Sequence, residues 1–139
     1  MAGKALGVSL EEARRVIRAG QEKATEIGVP MNIAVVDAGA NLVAFERQEG
    51  AWIGSIDIAQ KKAFTSRAFD IETKALGENS QSGQQFFGIH ASNNGKVMIF
   101  AGGVPLRRGG EVVGAVGVSG GLGHQDQAVA EAAAQALSK

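Results

Sequence analysis

The sequence predicts an α+β fold, an antiparallel sheet of local hairpins with helices packed on it. Three observations carry the prediction. Helical periodicity appears near both ends of the chain and once in the middle. Short β-rich runs sit in neighbouring pairs joined by tight turns, so strands close in sequence can pair antiparallel. The order of elements is helix, hairpin, helix, loop, strands, helix, with no repeat, heptad array or linker. A chain of 139 residues is long enough for a real core, so residues 1–139 are expected to form a single domain.

The elements follow in order. Ser9-Leu10-Glu11-Glu12 is a capping box. The helix after it carries Leu10, Ala13, Ile17, Ala24 and Ile27 on roughly one face. Gly28 and Pro30 end it. Met31 to Val36 and Leu42 to Phe45 are expected to pair as a hairpin around the turn Asp37 to Asn41, with Asp37 capping that turn. Ser55 to about Phe69 is the second helix, with Ser55 as its N-cap. Ile56, Ala59 and Ala63 share one face, and Ile58 and Phe69 lie on another, so this helix is expected to be covered on two sides. Glu72 to Gly95 is polar, with an apolar island at Phe86, Phe87 and Ile89, and is expected to be a long connection with one short helical turn. Val97 to Ala101 and Val112 to Val118 are expected strands, with a Gly-Gly-Val-Pro corner and the turn Arg107 to Glu111 between them. Asp126 to Leu137 is an Ala-rich closing helix.

Composition excludes several classes of function. Lys plus Arg is 14 and Asp plus Glu is 14, which lacks the basic excess of a general nucleic-acid binder. With no cysteine, disulfides, thiolate metal ligands and cysteine nucleophiles are excluded. The absence of tyrosine removes another haem ligand and acid-base group. No apolar run approaches the roughly 20 residues of a membrane span, so no membrane partner is expected. The opening MAGKALGVSLEEARR has no long apolar core, so a cytoplasmic location is the expectation, although a chain trimmed of a leader would read the same.

Candidate chemistry gathers in a few places. Gly102 to Gly121 interleaves glycines with Val104, Val112, Val113, Val116 and Val118. Glycine weakens a strand unless the backbone turns or lies against another surface. That surface is a helix, a neighbouring subunit or a ligand. The run Gly117 to Gly123 leads from a strand towards a helix and is similar to an anion-binding nest, but it lacks the Lys-Ser/Thr of a phosphate loop. Tight strand-to-helix packing explains it equally well. Lys62 and Thr65 lie among apolar residues of the second helix, where a lysine either extends a solvated head or pairs with a carboxylate or ligand. His90, beside Phe86 and Phe87, and His124, before the last helix, are the only histidines. Neither has metal-ligand spacing to another His, Asp or Glu. Each reads as an ordinary loop histidine or as a ligand, and aromatics next to an imidazole suit a flat apolar group such as haem.

Three long motifs then carry a resemblance: AVVDAGANLVAFERQEGAWIGSIDIAQKKAFTS, FAGGVPLRRGGEVVGAVGVSGG and QDQAVAEA. Together they are similar to the GlcG/HbpS-like haem-binding family, which includes the C-terminal domain of PduO-type proteins. The resemblance covers nearly the whole chain. It implies about five antiparallel strands flanked by helices in a profilin- or PAS-like three-layer arrangement, and assembly into dimers or larger rings, often octamers. The family signature falls on Arg47, Lys62, Thr65, Gly102, Gly103, Ser119, Gly120 and Asp126, which would line a ligand pocket. The segment QQFFGIHASNN is not a family motif.

The expected function is that of a small oligomeric haem-binding accessory protein in redox sensing or haem handling. His90 or His124 would ligate the iron, Phe86 and Phe87 would lie against the ring, and Arg107, Arg108 or Lys62 would meet the propionates. The alternative is a binder or enzyme for a small hydroxy- or oxo-acid of a glycolate, diol or glycerol pathway, held at Lys62, Ser119 and Asp126. A third reading is an oligomeric scaffold that acts through a protein partner. No spacing in the sequence identifies a catalytic constellation.

Overall fold

A computed structural model describes residues 3–138. Its elements are α1 (Leu10–Ile27), β1 (Asn32–Asp37), β2 (Leu42–Arg47), α2 (Gly54–Phe69), α3 (Thr73–Glu78), β3 (Gly103–Arg108), β4 (Glu111–Ser119) and α4 (Gly123–Ser138), with short 3₁₀ turns at Ile89–Ala91 and Asn93–Gly95. The sheet is antiparallel throughout, in the order β2-β1-β4-β3. Helices α1 and α4 cover one face and α2 covers the other, so the three layers expected from the sequence are present.

The capping box forms as the sequence implies. Ser9 accepts from the Glu12 N–H at 3.1 Å, and the Glu12 carboxylate accepts from the Ser9 N–H at 3.0 Å. Arg108, at the tip of the β3–β4 hairpin, donates to both Glu12 oxygens at 2.6 and 2.5 Å. Gly28, in the left-handed conformation, ends α1. In the first hairpin, Asp37 Oδ1 accepts from the N–H groups of Gly39 and Asn41.

Strand alternation sorts the residues of the central strands onto two unlike faces. Ile33 and Val35 of β1 and Val116 and Val118 of β4 point to the α1/α4 side. There they meet Val16, Ile17, Val129 and Ala133. Ala34 and Val36 of β1 and Ala115 of β4 point to the α2 side, against Ala59 and Ala63. Gly117 belongs to this second face. A Cβ at Gly117 would stand 2.0 Å from the Ala59 carbonyl oxygen, so α2 rests on bare β4 backbone. The alternation Val116-Gly117-Val118 is thus one face packed with side chains and one face packed with helix.

Four expectations are corrected. The sheet has four strands, not about five. Val97 to Ala101 is not a strand, because the Met98 N–H donates to the Thr65 hydroxyl of α2 at 2.9 Å instead of joining a ladder. The strand begins at Gly103 and runs straight through Pro105, with no corner at Gly102 to Pro105. Strand β3 is an edge, so the proline's missing N–H removes no ladder bond. Ser55 is also not the N-cap of α2. The helix starts at Gly54 with Ile53 in the capping position, and Ser55 is buried within the first turn.

Helix α2 does gain a second cover, from its own chain. The segment from Lys96 to Gly103 lies along the side that carries Lys62 and Thr65. The ends of the helix remain open at Ile53 and Phe69.

Candidate functional site

The feature that stands out is a charged pair sealed inside the fold. Lys62 sits mid-way along α2 and is 0% exposed. Its ammonium donates to Asp126 Oδ2 and to the Val118 carbonyl, each at 2.9 Å. The ring centroid of Phe100 lies 4.8 Å from Nζ, within cation–π range. Asp126 lies in the first turn of α4 and is itself buried. Its second oxygen, Oδ1, accepts from the Gly121 N–H at 2.8 Å.

Each side chain reaches this point for a local reason. The small residues of α2, Ala59 and Ala63, bring the helix down onto β4, so the long stem of Lys62 must run inward. The glycine run after β4 turns tightly into α4 and presents its N–H groups to Asp126. Gly102, at φ +126°, lies so close that a Cβ there would be 2.8 Å from Lys62 Nζ and 2.4 Å from the Val118 carbonyl oxygen. No side-chain-bearing residue fits that conformation and that space.

Burial dominates the ionisation of both groups. It pushes the Lys62 ammonium below its ordinary value, and the Asp126 charge only partly offsets this. It pushes the Asp126 carboxyl up, against the pull of Lys62 and the Gly121 N–H. In both groups burial works against the charged form, and the partner's opposite charge works for it.

A ring of polar bonds frames the pair. Gln127 accepts from the Gly102 N–H at 3.2 Å and donates to Glu72 at 2.9 Å. Thr73 accepts from the Gly103 N–H at 2.8 Å. On the solvent side of Ala101 and Gln127 a cleft of about 410 Å³ opens, lined by Lys74, Ala101, Gly123, His124, Gln127 and Glu131.

The structure therefore brings Lys62, Gly102, Gly103 and Asp126 to one place. Thr65 lies one turn along α2, where it donates to the Lys61 carbonyl and holds Met98. Ser119 and Gly120 end β4 beside the pair. The Ser119 carbonyl accepts from buried Asn32, whose own Oδ1 has no partner among the described residues. Arg47 is exposed at the end of β2, the opposite edge of the sheet from β3. Arg107 is exposed at the far end of β3 from Gly103, roughly 15 Å along the strand. The N–H groups expected to form an open nest are occupied, Gly121 by Asp126 and Leu122 by Gln125 Oε1.

The haem-directed residues are spread over the surface. Phe86, Phe87 and His90 are exposed in the segment between α3 and β3, with His90 in a 3₁₀ turn. His124 is exposed on the wall of the cleft. Among the described residues no three His, Asp or Glu side chains cluster as a metal site. Among the described residues no helix is long and apolar enough to cross a membrane.

Phe100, Thr73, Gln127 and Glu72 were missed from sequence. Phe100 reads as a strand residue, and the contacts of the other three cross from α3 or α4 to the Gly102 corner, which no local pattern encodes.

Comparison with known proteins agrees with this architecture. Residues 8–135 match the family described as "Haem degrading protein HbpS-like". An uncharacterised 15.0 kDa protein encoded in the dhaT-dhaS intergenic region of Citrobacter freundii is 36% identical over 132 residues, covering 95% of this chain and 93% of that protein. The corrinoid adenosyltransferase PduO of Citrobacter freundii is 35% identical over 134 residues, covering 96% of this chain but only 40% of that protein. The crystal structure of a PduOC:haem complex superimposes with a TM-score of 0.89 at 33% identity, covering 94% of each chain. On a family match that spans most of the sequence and relatives above 30% identity over nearly its whole length, the chain belongs to the HbpS-like family.

Proposed function

We propose that this protein handles haem, taking it from solution onto an exposed imidazole and aromatic surface. The observation that carries the reading is the segment around His90. Its imidazole is exposed in the same short segment as Phe86 and Phe87, and Phe87 is 67% exposed. Two large aromatic rings left in water within four residues of an exposed imidazole are a feature a flat apolar ligand would cover. The family's description and the haem-bound PduOC relative support the same ligand.

The donor set fits on chemical grounds. With no Cys or Tyr in the chain, the exposed imidazoles of His90 and His124 are the residues that would hold the iron. His124 shares its cleft with Lys74, an ammonium able to meet a propionate. Arg107, exposed on the β3–β4 hairpin, lies too far along the sheet from the cleft to serve there. Bound haem supplies one-electron iron chemistry. This chain's residues would bind and orient it. Assembly into dimers or larger rings and a cytoplasmic role in redox sensing or haem handling belong to the same reading.

The test is a haemin titration of the haem-free protein followed by absorbance, with wild type beside His90→Ala and His124→Ala. Saturable binding that is lost in one variant would identify the ligand. A titration unchanged by both substitutions overturns this ligation.

A further inference from the structure

Two open recesses meet along the second half of α1, and neither histidine lines them. The end recess, about 530 Å³, lies where α1 stops at Gly28 and the chain turns through Val29 and Pro30 towards β1, with Glu49 on its wall. The side recess, about 460 Å³, is bounded by Arg18 and Glu22. Gln21, Thr25 and Gln48 line both, so the two form one groove.

The amides of the groove are fixed by the fold. Gln48 Oε1 accepts from the Met31 N–H at 2.9 Å, and Gln48 Nε2 donates to the Gln21 carbonyl at 3.5 Å. Gln21 Nε2 donates to Glu46 at 2.7 Å. The charges of the groove are not spent in the same way. Among the described residues Arg18, Glu22 and Glu49 form no ion pair, and Lys23 turns to Glu26 at 3.6 Å.

Charge divides the groove into two unlike ends. Among the described residues, the end recess has one charged side chain, Glu49. It also meets the C-terminal end of α1, whose last turn carries no basic residue. A carboxylate and a helix C-terminus both attract a cation. The side recess has one charge of each sign, Arg18 and Glu22. These two are four apart on α1 and so are neighbours on its surface. That spacing lets one carbon present a carboxylate to the guanidinium and an ammonium to the glutamate.

We propose that this groove binds a small basic amino acid, its side-chain ammonium at Glu49 and the end of α1, and its α-amino and carboxylate groups between Glu22 and Arg18. Six residues of helix, roughly 9 Å, separate Glu22 from Gly28. A basic side chain and the reach of two glutamates cover that span. The methylene stem lies on the apolar surface of Ala24, Val29 and Pro30. Thr25 and the two anchored amides supply neutral hydrogen-bonding groups along the way.

The experiment is a titration of isotope-labelled, haem-free wild-type protein with L-lysine at neutral pH, followed residue by residue in amide NMR spectra. Saturable shifts centred on Gln21, Thr25, Gly28 and Gln48 are expected. L-Glutamate should give none. Cadaverine, which keeps both amines and lacks the carboxylate, should bind about threefold or more weakly. Glu49→Gln should weaken lysine by about threefold or more, and Arg18→Ala should reduce lysine to the affinity of cadaverine. Both side chains are exposed, so the variants keep the fold. No saturable shift with lysine, shifts centred elsewhere on the chain, cadaverine as tight as lysine in wild type, or lysine binding unchanged in Glu49→Gln overturns the proposal. None of these residues belongs to the haem reading, so this outcome leaves the haem titration unaffected, and a failed haem titration leaves this one unaffected.

Discussion

The two faces of the sheet are built on opposite principles. The α1/α4 face is thick and apolar. Val16, Ile17, Ile33, Val35, Leu106, Val116, Val118 and Val129 all lie there, each at 0–1% exposure. The α2 face is thin, with Ala34, Ala59, Ala63 and Ala115 at its centre. The buried polar groups Ser55, Lys62, Thr65, Ser66 and Thr73 lie on or beside α2. A layer of alanines loses less water-exposed apolar area than a layer of valines and isoleucines, so it contributes less hydrophobic free energy. The first face carries stability and the second holds a polar site close to the backbone.

That division can be broken most sharply at the charged pair. Lys62→Met alone leaves the Asp126 carboxylate buried beside an apolar stem, and a loss of about 3–5 kcal/mol in urea unfolding is expected. Adding Asp126→Leu should return most of that loss, because an apolar pair replaces a pair whose ions were expensive to desolvate. A double variant as unstable as the single one would show the pair to be a stability element, and the contrast between faces would fail.

Next in size is the thick face itself. Leu106→Ala removes a fully buried side chain that α1, α4 and the sheet enclose. A loss of about 2–5 kcal/mol is expected, with an unchanged denaturant slope. In the buried cluster of the other face only Val36, among the described residues, is larger than alanine, so truncation there has little to remove.

The thin face should fail in the opposite direction, by overfilling. Gly117→Ala drives a methyl into the Ala59 carbonyl of α2, a backbone atom that cannot swing aside. A destabilisation of about 1–3 kcal/mol is expected.

The smallest effect lies outside both faces, at the start of α1. Ser9→Ala should cost about 1 kcal/mol. The Glu12 carboxyl is held below its ordinary 4.5 chiefly by the Ser9 N–H. Its contribution is therefore complete above that value and disappears as pH falls through the lower folded-state value. Unfolding of wild type and Glu12→Gln should differ most at neutral pH and converge in acid. A gap that persists unchanged in strong acid would remove the carboxylate from the explanation.

Much of the fold was legible because it is local. The capping box, the Asp37 turn, the left-handed Gly28 and the glycines of the hairpin tip each act over four residues or fewer. The β-rich runs of β1 and β4 alternate visibly. The Val97 to Ala101 strand was misjudged because an apolar run has the right composition for a ladder, and the deciding bond, Met98 to Thr65, comes from α2. Pro105 was misjudged because its place in β3 depends on that strand being an edge.

The sequence by itself determined the α+β class, the hairpins, the helix ends and the candidacy of Lys62, Gly102, Gly103 and Asp126. Each follows from backbone preferences, periodicity or a motif carried in the chain. The tertiary structure decided that Lys62 and Asp126, separated by 64 positions, are partners. It also decided that Asp126 fills the glycine nest and that Arg47 and Arg107 stand away from the pair. The physical reason is that pairing energy and desolvation depend on distance and burial in space, and both are set only when α2 settles onto the bare backbone of β4.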